Sequence, residues 1–183
     1  MSVAFGVFGG SFDPPHVAHS LLAAYALAAH RIERVLVVPT YAHAFGKPLS
    51  AFDDRLRMCE LAFADLRRVE VSSIERELPV PSLTLRTLEA LVERHPSVRL
   101  RLLIGSDLLP ETHAWHNFER IAELAPPLVV QRQGYALDLD QPALPDVSST
   151  EIRRRLRAEQ STEGLLCPSV ELYARRRGLY ASE

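Results

Sequence analysis

The chain has 183 residues, 47% apolar and 24% charged, with a formal net charge of −2. That length suits one domain with a full core, and the near-neutral charge excludes the basic footprint of a non-specific nucleic-acid binder. The longest apolar run, Leu21 to Ala29, falls far short of the roughly 20 residues of a membrane span, and two cysteines exclude a disulfide framework.

In chain order, Val3 to Phe8 is a short apolar run ended by glycines and predicts a buried strand. An Ala- and Leu-rich helix follows over Val17 to His30, then a second buried strand, Arg34 to Val38, stopped by Pro39. Phe52, Leu56, Cys59, Phe63 and Leu66 fall at helical spacing with charges between them. Val69 to Ser72 predicts a short strand and Leu83 to Arg94 a helix. Val98 to Ile104 predicts a strand running into Gly105, followed by a helix over Asn117 to Leu124 and a strand over Pro127 to Gln131. Residues 132–147 carry Gly134, Pro142 and Pro145 and read mostly as loop. Two helices close the chain, one from Ser149 and one from Pro168 with Gly178 as its cap. Apolar strands alternating with helices predict a single α/β domain over residues 1–183: a Rossmann-like, doubly wound, mostly parallel sheet with helices on both faces. Ligands of such folds bind at the carboxyl ends of the strands. No basic segment precedes an apolar stretch at the N-terminus, so no export signal is expected, and the cytoplasm is the predicted compartment, with Cys59 and Cys167 as reduced thiols.

The segment GVFGGSFDPPHVAHS (Gly6 to Ser20) lies at such a strand end. It places two glycines, a carboxylate, two prolines and two histidines just ahead of a helix. A dinucleotide fingerprint fails on glycine spacing and on the absence of an acid after the second strand, which ends in Pro39-Thr40. A Walker loop would need Gly-Lys-Ser/Thr. A zinc site would need a third ligand beside His16 and His19. What remains is G-G-S-F-D-P-x-H-x-x-H, which resembles the G-x-F-D-P-x-H-x-G-H signature of the nucleotidyltransferase superfamily, with Ala18 where that family usually has Gly. The resemblance implies that Gly9, Gly10, Ser11, Phe12 and Asp13 bind ATP, and that His16 and His19 are catalytic. The attacking phosphate of such a reaction is already ionised, so no strong base is needed. Donors for charge on the α-phosphate and on departing pyrophosphate are, and imidazoles at a helix start supply them.

A second stretch, DVSSTEIRRRL, has a structural reading as a capping box from Ser148 to Glu151. Arg153, however, sits in the first two turns, where the helix dipole disfavours a cation unless an anion lies between. Ser148, Ser149, Thr150, Ile152 and Arg153 match the superfamily's S-S-T-x-I-R, which implies a triphosphate site, with Arg153 counted among the catalytic residues. Arg154 and Arg155 read as a solvated face. Lys47, in the loop after the second strand, stands where the family places a phosphate-reaching lysine, although the usual Pro-Pro-His-Lys run is here His43 to Lys47.

Two further stretches resemble the bacterial nicotinate mononucleotide adenylyltransferases. PSLTLRTLEAL is similar to their P-S-Y-T-x-x-T-L, with Leu83 in place of the common Tyr; LIGSDLLPETHAWHNFERI is similar to their I-G-x-D-x-L…W. The resemblance extends nearly the whole chain, through the closing YARRRGLY. It implies that Thr84 and Trp115 bind the mononucleotide, Trp115 stacking on a cationic pyridine ring, and that Gly105 and Asp107 meet the adenosine of ATP. The expected reaction joins ATP, accompanied by Mg2+, to nicotinate mononucleotide, giving deamido-NAD and pyrophosphate. No protein metal ligand, nucleic-acid partner or membrane partner is expected, and a homo-oligomer is left open. Pantetheine phosphate adenylyltransferases lack the Trp segment, and class I aminoacyl-tRNA synthetases are much longer. A dual-specific enzyme using the nicotinamide form as well, or a nucleotide sensor that has lost a phosphate ligand, are the alternatives.

Overall fold

Five strands carry the fold: β1 (Ala4–Gly10), β2 (Arg34–Pro39), β3 (Val69–Val71), β4 (Arg99–Gly105) and β5 (Pro127–Val130). The structure, a computed structural model, describes residues 3–44, 46–135 and 141–181. All strand pairings are parallel, in the order β3-β2-β1-β4-β5. The central strands are buried on both sides, which is why they read as continuous apolar runs and not as alternating ones. Within each run the period of two still sorts side chains. Phe8, Val35, Val37 and Leu103 face one core, while Val7, Leu36, Val38, Leu102 and Ile104 face the other.

Six α-helices are described: α1 (Val17–Ala29), α2 (Phe52–Ala62), α3 (Thr84–Arg94), α4 (Phe118–Leu124), α5 (Ser149–Arg157) and α6 (Pro168–Arg176). Leu22, Ala23 and Ala26 of α1, with Cys59 of α2, cover the first face. The alanines let α1 lie close to the sheet, and Cys59 is a buried free thiol, as expected. Leu85, Leu88 and Leu91 of α3 and Ile121 of α4 cover the second face. The doubly wound α/β arrangement is therefore present. A third core joins Ala18 and Met58 to Ile152 and Leu156 of α5 and Val170 and Ala174 of α6, docking the last two helices beside the first two.

Several boundaries differ from expectation, each for a local reason. β1 continues through Gly9 and Gly10, which pair in register with Val38 and Pro39 of β2, so the glycines finish the strand and do not begin the loop. α2 stops at Ala62, and Leu66 packs from the turn that follows. Two 3-10 segments, Ile74–Glu77 and Ser106–Ala114, have no strong apolar period and were not anticipated. Gly178 adopts φ +63° just past α6, the left-handed conformation that ends a helix. The loop expected over 132–147 carries isolated bridges from Arg132 to Tyr135 and to Leu144; residues 136–140 of it lie outside the described residues.

Candidate active site

β1 and β4 are adjacent although far apart in sequence, and the chain departs from them in opposite directions across the sheet. This is the switch point at which an open parallel sheet leaves a crevice. A cavity of about 620 Å³ opens there, at the carboxyl ends of β1, β2 and β4, within the usual range for a small-molecule site. It brings together Gly9, Gly10, Ser11, His16, His19, Thr84, Gly105, Asp107 and Trp115 from the residues singled out in the sequence. Two glycines have a spatial reason. A β-carbon on Gly9 would meet no protein atom, leaving the backbone open to a ligand, whereas one on Gly105 would run into the carboxylate of Asp107 and the side chain of Arg132.

His16 is the N-cap of α1, with extended backbone, and is buried. Its ring stacks on that of His19, centroids 3.7 Å apart and planes 26° from parallel. The backbone N–H of His16 donates to Nδ1 of His19 at 3.0 Å. In a neutral imidazole the second nitrogen must then carry the proton, so His19 offers an Nε2–H donor. Burial, and then the nearby Arg132 guanidinium, push His16 down to about 3. Burial, His16 and Arg132 in turn hold His19 well below the ordinary imidazole range. Both rings are neutral at pH 7. Nδ1 of His16 is buried without a hydrogen-bond partner among the described residues, an orphan polar atom in the cavity wall.

The loop from Ser11 to Pro14 is held from four directions. Arg55 of α2, itself buried, donates from Nη1 to the Ser11 carbonyl and from Nε to the Ser50 carbonyl, both at 2.9 Å. Arg153 donates to the Asp13 carbonyl at 2.7 Å and to Thr150 Oγ1 at 3.3 Å. Ser149 Oγ donates to the Pro14 carbonyl at 2.9 Å. The Asp13 carboxylate, 4% exposed, accepts the Ser50 N–H at 3.0 Å and the Tyr180 hydroxyl at 2.5 Å.

On the opposite wall, Thr84 begins α3, which has no acidic residue in its first turn. Trp115 is half-buried and meets Phe118 edge-on at 6.0 Å, so it packs on the second core as well as lining the cavity. Asp107 pairs with Arg132 at 2.6 Å; Arg132 also donates to the Val147 carbonyl at 2.7 Å. Buried Glu75 accepts the Tyr41 N–H at 2.9 Å and the Thr87 hydroxyl at 3.0 Å, holding the loop after β2 against α3. Among the described residues no group of three His, Cys, Asp or Glu is arranged to hold a metal ion.

The cytidylyltransferase-like family model matches residues 7–155, spanning both the glycine-histidine loop and the start of α5. A chain from Anaeromyxobacter sp. (strain K), described as "Probable nicotinate-nucleotide adenylyltransferase", is 45% identical over 177 residues, 95% of each chain. One of the same description from Myxococcus xanthus is 38% identical over 181 residues, covering 98% of this chain and 95% of that one. This chain belongs to the nicotinate-nucleotide adenylyltransferase family and is a nucleotidyltransferase. Its fold matches that of the Plasmodium falciparum nicotinic acid mononucleotide adenylyltransferase, solved in complex with NaAD, with a TM-score of 0.83 at 21% identity over 97% of each chain.

Against the family pattern, several residues sit otherwise than the sequence suggests. Phe12 has its side chain 1% exposed, with φ +47°, and its ring packs on Phe8, His19 and Phe63; it supports the cavity floor and does not enter the cavity. Asp13 has its carboxylate occupied by protein donors. Lys47 is exposed and stands outside the cavity lining. Ser149 and Arg153 reach the loop carbonyls, Thr150 accepts from Arg153, and all three lie outside the lining. The capping box is half made: Ser148 Oγ accepts the Glu151 N–H at 3.2 Å, while the Glu151 carboxylate pairs with Arg154 and Arg155. The Ala18 methyl is buried against α5 and α6 and forms part of the cavity wall. Arg55, Glu75, Arg132 and Tyr180 were missed. The signal for Arg132 was its position at the end of an apolar strand, where a charge in a site is commonly found.

Proposed function

We propose that this chain condenses ATP with nicotinate mononucleotide to give deamido-NAD and pyrophosphate, in the biosynthesis of NAD. The observation that carries the reading is the stacked, neutral histidine pair lining the cavity at the start of α1. In the reaction an oxygen of the mononucleotide phosphate bonds to the α-phosphorus of ATP as the bond to pyrophosphate breaks. The nucleophile is already an anion, so catalysis is positioning plus donors for charge on the α-phosphate and leaving group. The Nε2–H of His19 is such a donor, with His16 beside it. Backbone approach at Gly9 and Gly10 admits the phosphates. Arg153, Ser149, Thr150 and Lys47 would meet the triphosphate only after small side-chain movements, Arg153 exchanging the Asp13 carbonyl for a phosphate oxygen. Gly105 and Asp107 flank the adenosine, while Thr84 and Trp115 receive the mononucleotide, the Trp115 face attracting the pyridinium. Mg2+ enters with the triphosphate as part of the substrate, held by phosphate oxygens and water. The whole chain acts as one nucleotidyltransferase domain in the cytoplasm, where buried Cys59 stays reduced.

Pyrophosphate release from Mg-ATP, with nicotinate or nicotinamide mononucleotide offered separately, tests this reading. Faster turnover with the nicotinate form by at least tenfold is expected. Equal rates would make the enzyme dual-specific, and silence with both in a folded protein that binds ATP would replace catalysis with sensing.

A further inference from the structure

The C-terminal segment after α6 does not line the cavity, yet it reaches the loop from which the histidines spring. Tyr180, with φ +65°, turns its ring inward against the core that joins α1 and α2 to α5 and α6. Its hydroxyl donates to Oδ1 of Asp13 at 2.5 Å, across 167 residues of sequence. The other oxygen of that carboxylate takes the Ser50 N–H at 3.0 Å. Both oxygens of a buried carboxylate are thus bound by elements that the sequence places far away, and the loop carbonyls on either side are claimed by Arg55 and Arg153.

We propose that Tyr180 is a positioning residue for adenylyl transfer: through Asp13 it locks the Ser11–Pro14 loop, and so the His16–His19 pair, in the geometry that meets the α-phosphate. The proposal rests on the adenylyltransferase reading above. The physical argument is one of satisfied donors. A buried carboxylate deprived of one donor pulls its backbone toward another partner or toward water. The Asp13 backbone leads through Pro14 and Pro15 directly to the N-cap histidine of α1. Two prolines transmit a displacement stiffly, because neither can absorb it in φ. A shift there misaims the donors on the transferring phosphate, where a displacement of about an ångström is costly. The mononucleotide wall, built by α3 and Trp115, stands on the other face of the sheet and is untouched. The effect belongs in kcat and in the KM for ATP, and not in the KM for the mononucleotide.

Tyr180→Phe removes only the hydroxyl and keeps the ring in its core. The expected result is a fall in kcat of about tenfold or more, an unchanged KM for nicotinate mononucleotide within a factor of two, and a protein still folded at the assay temperature. Asp13→Asn, measured in parallel, shows the same split, because the hydroxyl acts through that carboxylate. The double variant is no worse than the more damaged single one. Wild-type kcat in Tyr180→Phe, or wild-type kcat in Asp13→Asn should the tyrosine variant fail to fold, overturns the proposal. Losses that fall equally on both KM values and track only the melting temperature overturn it too. The wild-type rate separates the two claims: no turnover there removes the adenylyltransferase reading, while an active wild type beside fully active variants removes only the role of Tyr180.

Discussion

His16 and His19 are stacked ring on ring at 3.7 Å, and the backbone of the first fixes the tautomer of the second through a 3.0 Å hydrogen bond to Nδ1. A charged pair would repel at this distance; a neutral pair at a helix N-terminus does not. As neutral rings they are suited to donate N–H hydrogen bonds and not to act as two cations, with the His19 donor fixed at Nε2.

Replacing His19 with Ala removes one such donor from the transition state, together with the ring that packs on Phe8 and Phe12. A loss of about 3–4 kcal/mol in transition-state stabilisation is expected, or roughly two to three powers of ten in kcat. Steady-state pyrophosphate release measures it, and a His19→Ala protein retaining near-wild-type turnover removes His19 from the chemistry.

The same burial makes stability fall in mild acid. In the unfolded chain an imidazole binds its proton near pH 6.5, whereas folded His16 does so only near 3 and His19 well below its ordinary range. Between those limits the unfolded state carries the extra protons, so stability drops as pH falls, by about 1.4 kcal/mol per unit for each histidine. From pH 6.5 to 5.5 the two together cost about 2 kcal/mol. Above about pH 7.5 neither contributes. Urea unfolding across this range should show the slope, and a His16→Gln, His19→Gln double variant should lose most of it; an identical slope in that variant assigns the acid sensitivity elsewhere.

A narrower effect is expected at Trp115. Stacking of an aromatic ring on a ligand ring is worth about 1–3 kcal/mol by truncation, so Trp115→Ala should raise the KM for the mononucleotide by roughly 5- to 150-fold with kcat much less affected. Its edge contact with Phe118 adds a modest loss of stability. An unchanged KM for the mononucleotide would leave Trp115 as a core residue only.

Arg132 ties the loop after β5 to the segment after β4 through Asp107, and to the approach to α5 through the Val147 carbonyl. Arg132→Met keeps the stem that packs against Gly105 but strands the Asp107 carboxylate, with both partners well shielded from solvent. About 2 kcal/mol of stability should be lost, a fall of about 4–8 °C in Tm. The KM for ATP should rise, since Asp107 loses its orientation. Calorimetry and ATP titration read the two effects separately, and an unmoved Tm would mean the pair is replaced by water at no cost.

The glycine-histidine segment and the start of α5 could be read directly from the chain because their geometry is local. Residues three apart at a helix start share a face whatever else the protein does, so His16 and His19 had to meet. The apolar strands could be read for a similar reason: a parallel sheet covered on both faces leaves continuous runs of Val and Leu. The order of those strands, and hence the switch point at which the cavity opens, could not.

Phe12 shows where local reading ends. It lies inside the ligand signature, yet its ring is enclosed by Phe8, His19 and Phe63, because a left-handed turn at that position sends it into the core. Asp13 shows the same from the polar side. A carboxylate in a motif reads as a ligand group until the fold supplies its partners. Those partners stand 37 and 167 residues away, as the partner of Asp107 stands 25 residues away. The amino-acid order by itself determined which strand ends in glycines and which imidazoles pair at the helix start. Only the tertiary structure decided which charges are free to meet a ligand, because a buried polar group must be satisfied by whatever distant donor the packing brings within 3 Å.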